Sequence, residues 1–234
     1  MLLEVPLPDP ADEAVDRAMV ARLRRRLARM KSVDDPYPHF VTNDLVDPAF
    51  LTTLLEWLEG RGRFVPVNEG HYSLHRCENL RDVVRSPARS LVGQRAIEAL
   101  ASELGRIFDV PLGTQWIYFA THCMQSGQFI AVHTDPPDEG GEDVRLVIHL
   151  ARPEAPVGGG ELLLLRTPED ETADAVVPIH GASAAFVLSH RSFHAVNPVL
   201  AGTRRTIVFG FYREGRVPDE LRGAARPPPA RGTT

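Results

Sequence analysis

The sequence has few cysteines, no long apolar run and no recognisable secretory signal, and so lacks the features that mark disulfide-rich, membrane and secreted proteins. Only two cysteines, Cys77 and Cys123, occur among 234 residues, and no CxxC pair is present. Neither a disulfide framework nor a cysteine-type zinc site is therefore expected. No apolar run approaches the ~18 residues that a membrane-spanning helix needs, and the acidic, proline-broken start is unlike a secretory signal. These absences favour a soluble cytoplasmic protein with no membrane partner.

Positive charge is also scarce. The formal net charge is −5 at pH 7, whereas nucleic-acid-binding domains usually present a basic face, so no nucleic-acid partner is expected. Of the 26 basic residues only Lys31 is a lysine, a bias that indicates a GC-rich, bacterial genome. With 43% apolar and 24% charged residues, the composition is typical of a globular domain with a sizeable core.

The chain divides into three regions. Residues 1–35 predict a helical arm, because apolar residues lie at helical spacing within 11–32, and this helix either docks on the body or pairs two copies in a homodimer. Residues 36–213 form one domain that opens with helices predicted at about 47–60 and 87–108. Residues 214–234 predict a disordered tail.

Short strands dominate the second half of the chain. Residues 115–213 hold seven or eight apolar or alternating runs separated by turn-rich segments, which is typical of an antiparallel sandwich or barrel. The fold class predicted is mainly β (α+β), a barrel with supporting N-terminal helices. Segment 61–86 has no regular pattern and stays unassigned, although its part 69–76 could line a substrate mouth, as loops before a barrel often do.

Two polar residues mark the end of one predicted strand. His133 and Asp135 are two positions apart, so the alternation of a strand puts both side chains on one face. A neutral imidazole and a carboxylate from one strand end, with one distant imidazole, make the facial triad of non-haem Fe(II). A chance surface pair is the alternative, since the chain has 9 histidines.

The distant imidazole has two candidates, His190 and His194, which follow another apolar run. Arg204 lies further on and opens the last strand. An arginine inside a barrel would be a costly buried charge unless it is paired, and a carboxylate ligand can pair with it bidentately. Thr206 shares the strand face of Arg204 and can add a hydrogen bond.

Three motifs in this order carry a family resemblance: HTD at 133–135, GGEL at 159–162 and HAVNPVLAGTRRTIVFGF at 194–211. Together they resemble the core of the Fe(II)/2-oxoglutarate-dependent oxygenases, in the prolyl-4-hydroxylase-like branch. The segment PYPHFVTNDLVDPAF is similar to the first strand and helix of that branch, so the resemblance covers roughly 36–213. It implies a double-stranded β-helix, the jelly-roll or cupin-like barrel, over about 115–213.

The resemblance also assigns roles to particular residues. It implies that His133, Asp135 and His194 are the catalytic iron ligands, with His194 rather than His190 at the family distance from the arginine. Arg204, with Thr206 beside it, would hold the distal carboxylate of 2-oxoglutarate. The cofactors implied are Fe(II), O2 and 2-oxoglutarate as cosubstrate, with ascorbate as an optional reductant.

The sequence departs from the family pattern at several positions. After the HTD loop the family commonly has a tyrosine that reaches the cosubstrate, and here His149 stands in its place, either as a cosubstrate contact or as a satisfied core histidine. Arg145 shares that strand face and would meet a substrate carboxylate or lie in solvent at the strand mouth. The tyrosine expected before the HTD strand is not evident, and Tyr118 or Cys123 occupies its neighbourhood.

The remaining histidines and one basic residue are expected to be ordinary. Arg205 should point outward, since it neighbours Arg204 on a strand. Five histidines lack a partnered spacing and are predicted to be surface or core residues: His39, His71, His75, His122 and His180.

These features predict a dioxygenase that hydroxylates an unactivated C–H bond of a small molecule, such as an amino acid or a natural-product intermediate, while 2-oxoglutarate is decarboxylated to succinate. Desaturation and cyclisation share the same iron site and stay open. Within the family, peptidyl-prolyl hydroxylation is the alternative. From a different class, the alternative is a cupin-like metal-binding barrel without oxygenase activity, which has no need for a buried Arg204.

Overall fold

The computed structural model describes residues 2–4, 13–79, 88–137, 141–170, 174–216 and 218. Its helices are α1 (Glu13–Leu27), α2 (Pro48–Arg61), α3 (Arg89–Val92) and α4 (Gln94–Phe108). Its strands are β1 (Leu2–Glu4), β2 (His39–Thr42), β3 (Phe64–Glu69), β4 (Tyr72–Cys77), β5 (Leu112–Met124), β6 (Ile130–His133), β7 (Val144–Leu150), β8 (Gly158–Gly159), β9 (Leu162–Leu165), β10 (Asp174–Val176), β11 (Ser183–Val187), β12 (Phe193–Val196), β13 (Val199–Ala201) and β14 (Arg204–Arg213).

Antiparallel pairing joins the strands into a nearly closed barrel. One sheet runs in the order β10-β9-β12-β6-β4-β5-β14-β7-β11-β2, with β1 added on β5 and β3 on β4, and β8 pairs separately with β13. This arrangement confirms the predicted mainly-β jelly-roll. Strands far apart in sequence, such as β6 and β12, become neighbours in it, which is what brings distant side chains to one site.

Alternation along β5, β14 and β7 separates two cores. Phe119, Ile148 and Phe209 face outward and pack with the helices in one buried cluster. Ala120, Val147 and Val208 belong to a second cluster inside the barrel. Successive side chains of a strand point to opposite faces, so the same three strands pack against the helices on one side and line the barrel interior on the other.

The helix predicted at 47–60 is present with small shifts at its ends. The carboxylate of Asp47 accepts hydrogen bonds from the backbone N–H groups of Ala49 (2.9 Å) and Phe50 (3.4 Å), which caps α2 with Pro48 in its first turn. The four leucines on its inner face are buried: Leu51, Leu54, Leu55 and Leu58.

The second predicted helix is interrupted, and the unassigned segment contains a hairpin. Gly93 has extended backbone angles (φ −69°, ψ 158°) and separates α3 from α4, because glycine stabilises a helix interior poorly. The start of that prediction, near 87, lies outside the described residues. Within 61–86, β3 and β4 pair along six register positions, from Phe64 opposite Cys77 to Glu69 opposite Tyr72.

Helix α1 packs on the body of the protein. Met19, Leu23 and Leu27 are buried in the same core as α4, and Arg26 forms an ion pair with Asp44 at 2.7 Å. The homodimer through this helix stays a prediction, as do the proposed domain limits. The tail predicted to be disordered lies outside the described residues from 219 onward. Among the described helices, none is both long and apolar enough to cross a membrane.

Candidate metal centre

Two neighbouring strand ends bring the three predicted ligands together. His133 ends β6, His194 lies on β12, and the two residues are register partners in that ladder. Asp135 follows β6, and its Oδ2 atom lies 3.6 Å from the Nε2 atom of each histidine. One ligand atom from each of the three residues lies within 4.8 Å of the others.

Backbone carbonyls set the tautomer of both imidazoles. The Nδ1 atom of His133 lies 2.9 Å from the Ala131 carbonyl oxygen, and that of His194 lies 2.9 Å from the Ser192 carbonyl oxygen. Because a carbonyl only accepts, each Nδ1 carries the hydrogen and each Nε2 is left with a lone pair. Two nitrogen lone pairs and a carboxylate oxygen then face one another, a donor set that fits non-haem Fe(II).

Electrostatics and burial keep Asp135 and His194 in their ligating protonation states. Burial by itself would raise the pKa of Asp135, but the His133 and His194 rings and the Arg145 charge hold it well below its usual range. Burial lowers the pKa of His194, against the opposing effect of Asp135. The carboxylate is therefore ionised and His194 is neutral near pH 7, as metal binding requires.

Arg145 lies against this cluster and not in solvent at the strand mouth. Its Nη1 atom donates to Asp135 Oδ2 at 2.5 Å and lies 3.3 Å from His194 Nε2, while its Nη2 donates to Glu142 Oε2 at 2.7 Å. Burial by itself would lower its pKa, but Glu142 and Asp135 raise it above the usual value. Both of its Nη groups thus already contact carboxylates.

A cavity of about 280 Å³ adjoins the cluster, near the lower end of the range for small-molecule sites. The inward face of β4 contributes Tyr72, Leu74 and Arg76 to its wall, so part of segment 69–76 does line the opening. His71 also lines it, and its ring centroid lies 5.1 Å from that of His133.

Arg204 is a buried cation in the wall of the same cavity. Its Nε donates to the Gly160 carbonyl oxygen at 2.7 Å and its Nη1 lies 3.4 Å from the sulfur of Met124. It forms no ion pair with any residue that the structure describes. Burial lowers its pKa to about 10, with Glu161 opposing the shift, so it stays charged at neutral pH. An anion is the ligand that such a group requires.

Polar side chains next to Arg204 form a row across three strands. Thr206 on β14 is the register partner of His122 on β5 and of His149 on β7. The Thr206 hydroxyl and both ring nitrogens of His149 are buried and have no hydrogen-bond partner among the described residues. Thr206 and His122 line the cavity, whereas His149 is not among its lining residues.

Both histidines of this row are held neutral. Burial, and then the charge of Arg204, lower the pKa of His122 to about 3 and that of His149 well below its usual value. The expectation that His122 is an ordinary surface or core histidine therefore missed a cavity residue. Tyr118 also lines the cavity, and His122 is four positions further along the same strand. The two side chains therefore share a face, a pattern that could have identified His122 from the sequence.

The GGEL motif has a steric explanation. Gly159 and Gly160 both have φ near +71°, which side chains rarely adopt. A Cβ on Gly159 would lie 2.2 Å from the Pro198 carbonyl oxygen, and one on Gly160 would lie 3.0 Å from Arg204 Cδ. The two glycines thus let β8 approach β13 while the Gly160 carbonyl holds Arg204.

Other residues singled out from the sequence lie away from the cluster. His190 is in the turn between β11 and β12. Cys123 is buried but does not line the cavity. Arg205 forms an ion pair with Glu59 at 3.2 Å, as an outward-pointing residue can.

Comparison with known families gives one match to a sequence profile. Residues 119–213 match the 2OG-Fe(II) oxygenase superfamily, a segment that contains all three clustered residues and Arg204. The superfamily uses Fe(II), 2-oxoglutarate and O2. No curated protein sequence matches this chain significantly.

Solved structures of low sequence identity share the fold. A prolyl-4-hydroxylase from Pseudomonas putida has a TM-score of 0.57 at 18% identity, covering 84% of this chain and 100% of its own. A prolyl hydroxylase from Trichoplax adhaerens, in complex with a peptide fragment of the hypoxia inducible factor oxygen degradation domain, has a TM-score of 0.58 at 17% identity, covering 94% and 98%. A 2OG-Fe(II) oxygenase family oxidoreductase from Burkholderia pseudomallei has a TM-score of 0.56 at 18% identity, covering 85% and 91%.

Proposed function

We propose that this protein, whose residues 119–213 belong to the 2OG-Fe(II) oxygenase superfamily, hydroxylates an unactivated C–H bond of a small anionic molecule. It is a 2-oxoglutarate-dependent dioxygenase, and the substrate class is what the proposal adds. The observation that carries it is the combination, in one cavity, of the His-Asp-His cluster with two arginines that lack a carboxylate partner among the described residues.

His133, Asp135 and His194 would hold the iron. Support comes from the Nε2 lone pairs that face the ionised Asp135, because a metal ion can bind all three atoms at once, whereas Arg145 contacts only Asp135 and His194. When bound, the iron and 2-oxoglutarate supply the oxidising chemistry, in which 2-oxoglutarate is decarboxylated to succinate. The protein's own contribution is to fix these ligands and to shape a cavity that excludes water.

Arg204 would bind the distal carboxylate of 2-oxoglutarate. Its fixed Nε leaves the Nη groups for an anion, and the unpartnered hydroxyl of Thr206 can add a hydrogen bond. We add His122 to the cosubstrate contacts, because it lines the cavity next to Thr206 and is neutral. His149 stays a proposed contact that acts from the adjacent strand.

Charge in the cavity favours an anionic substrate. Asp135 and Glu142 form ion pairs with Arg145, and Arg204 would be neutralised by the carboxylate of 2-oxoglutarate. Arg76, the register partner of His122, is exposed, lines the cavity and forms no ion pair with a described residue. A free carboxylate, as in an amino acid, would balance it, whereas an internal peptide residue brings no charge. In addition to Arg76, Arg145 stays a proposed direct contact to the substrate.

Peptidyl-prolyl hydroxylation is the second candidate. It is favoured by the fold that this chain shares with two prolyl hydroxylases, one of them solved with a peptide. A proline-containing peptide with blocked ends carries no terminal charge and would not need Arg76. The two candidates thus differ in whether the substrate carries a charge that Arg76 can bind.

Succinate formation tests the proposal. The protein would be incubated with Fe(II), 2-oxoglutarate and either free amino acids and other small carboxylic acids or end-blocked proline peptides. We expect succinate above the substrate-free level with a free acid and no increase with its amide or with the peptides. Stimulation by peptides alone would favour the second candidate, and absence of any succinate would favour a barrel without oxygenase activity. His133→Ala is the inactive control.

A further inference from the structure

A second acidic residue is linked to the metal centre through Arg145. The guanidinium of Arg145 joins Asp135 Oδ2 at 2.5 Å to Glu142 Oε2 at 2.7 Å. Glu142 is 6% exposed, so this contact is not a solvent-screened surface pair. A buried carboxylate, a guanidinium and a metal-ligand carboxylate therefore form one continuous chain of charge-assisted hydrogen bonds.

Arg145 alone would oppose the binding of a divalent cation. It lies within hydrogen-bonding distance of Asp135 and 3.3 Å from His194 Nε2, two of the three proposed ligands. A positive charge there repels a metal ion and competes for the lone pairs that would bind it. The negative charge of Glu142 on the far side of the guanidinium offsets that repulsion.

The neighbouring strand leaves room for Glu142. Gly210 on β14 is the register partner of Arg145 on β7. A Cβ on Gly210 would lie 2.2 Å from Glu142 Cγ and 2.6 Å from its Oε1. Any side chain at position 210 would therefore displace the Glu142 carboxylate. The glycine on β14 is thus needed for the contact between Glu142 and Arg145.

We propose that Glu142 is a positioning residue of the metal centre. It holds the Arg145 guanidinium in place beside Asp135 and cancels the charge that would weaken binding of a divalent cation. The inference rests on the proposed iron site and goes beyond it, since it gives roles in metal binding to two residues, Glu142 and Arg145, that are not ligands themselves.

Metal affinity measured without turnover tests the inference. Mn²⁺ would be titrated into the full-length protein in the absence of 2-oxoglutarate, with free Mn²⁺ followed by electron paramagnetic resonance. Glu142→Gln keeps the shape and removes the charge. We expect its dissociation constant for Mn²⁺ to rise about 10–100-fold, because the Arg145 charge beside Asp135 and His194 is then no longer offset.

Glu103→Gln is the matched control. Glu103 forms an i,i+3 pair with Arg106 at 3.0 Å on α4, the same sequence spacing as Glu142 and Arg145, but it does not line the cavity. Its Mn²⁺ affinity should stay within about twofold of the wild type. A thermal unfolding curve of each metal-free variant reports separately on folding.

A double variant separates the charge effect from general damage. In Arg145→Met combined with Glu142→Gln, the uncompensated cation is gone, so Mn²⁺ affinity should recover severalfold relative to Glu142→Gln alone. If Glu142→Gln fails to fold, the double variant is compared with the wild type: a dissociation constant for Mn²⁺ within about tenfold of the wild type supports the inference, and a larger loss overturns it. Equal affinity of wild type and folded Glu142→Gln, or a double variant no better than the single one, overturns the inference. A wild-type protein that binds no Mn²⁺ overturns the proposed iron site and this inference with it.

Discussion

The charged side chains that line the cavity fall into two groups, those with an ion-pair partner and those without one among the described residues. Asp135 and Glu142 share Arg145, whereas Arg204 and Arg76 have no acidic partner among the described residues. Backbone carbonyls fix the imidazoles of His133 and His194. The chemistry of the site therefore depends on a few residues whose single replacement should have separable effects.

His194, and not His190, should be the third metal ligand. His194→Ala removes a nitrogen that lies 3.6 Å from Asp135 Oδ2, so we expect Mn²⁺ binding to fall by at least tenfold. His190→Ala changes a residue in the turn outside the cluster and should leave the dissociation constant unchanged. The opposite result in the same titration would show that the ligand assignment is wrong.

Arg204 should determine the affinity for 2-oxoglutarate. Arg204→Ala removes one partner of a desolvated charge pair, a loss of about 3–5 kcal/mol, so the apparent KM for 2-oxoglutarate should rise at least 100-fold. Arg204→Lys should recover only part of this, because an ammonium lacks the bidentate geometry. Unchanged 2-oxoglutarate dependence of succinate formation in Arg204→Ala would contradict the assignment.

Arg76 should act on the substrate and not on the cosubstrate. Arg76→Ala is expected to raise the KM for an anionic substrate about tenfold, consistent with about 1.4 kcal/mol for a partly exposed charged contact. The KM for 2-oxoglutarate should not change. Arg191→Ala, on the exposed turn before β12, is the control. Equal changes in both KM values would instead indicate that Arg76 contacts the cosubstrate.

At the scale of elements, the pairing of β5, β14 and β7 builds the part of the site where we propose that 2-oxoglutarate binds. The row His122, Thr206 and His149 exists because these strands align at those positions. The small β8–β13 ladder positions the Gly160 carbonyl oxygen, which accepts a hydrogen bond from Arg204. Both arrangements depend on register, and a shift of one residue would turn each side chain to the other face.

Gly159 should be essential for the β8–β13 ladder. Gly159→Ala places a Cβ 2.2 Å from the Pro198 carbonyl oxygen at a φ of +71°, and we expect the free energy of unfolding to fall by about 1–3 kcal/mol. Gly60→Ala is the control, because it lies in α2 with nothing within 4 Å of its Cβ, and it should raise the free energy of unfolding by about 0.5–1 kcal/mol. Urea unfolding measures both. A neutral Gly159→Ala would contradict the close approach.

For the whole molecule, the barrel interior contains histidines whose protonation would cost stability. His149 is fully buried, and burial and Arg204 lower its pKa well below the usual value. Below pH ~6.5 the unfolded chain therefore binds a proton at this residue that the folded chain does not bind. Stability should consequently be lost as the pH falls.

Replacing His149 should weaken this acid sensitivity. The free energy of unfolding of the wild type should decrease between pH 6.5 and 5, with about 1.4 kcal/mol per pH unit from each such histidine once the pH lies well below 6.5. His149→Leu removes one of these protons and should flatten the slope by that amount. Urea unfolding at several pH values measures it, and parallel curves for both proteins would contradict the shifted pKa.

Local sequence patterns determined much of the site. HTD has the alternation that puts His133 and Asp135 on one strand face, and the buried Arg204 follows from a charged residue inside an apolar strand. The mainly-β barrel also followed from short alternating runs. These features are encoded within a few residues of one another, so sequence reasoning could reach them.

Register between distant strands was decided only by the tertiary structure. His122 reaches the cavity because β5 aligns with β14, and Arg76 reaches it because the unassigned segment forms a hairpin whose second strand pairs with β5. Glu142 has space beside Arg145 because Gly210 of another strand lies opposite Arg145. Each of these three strand pairings joins residues tens of positions apart, and no local periodicity specifies which strands will meet.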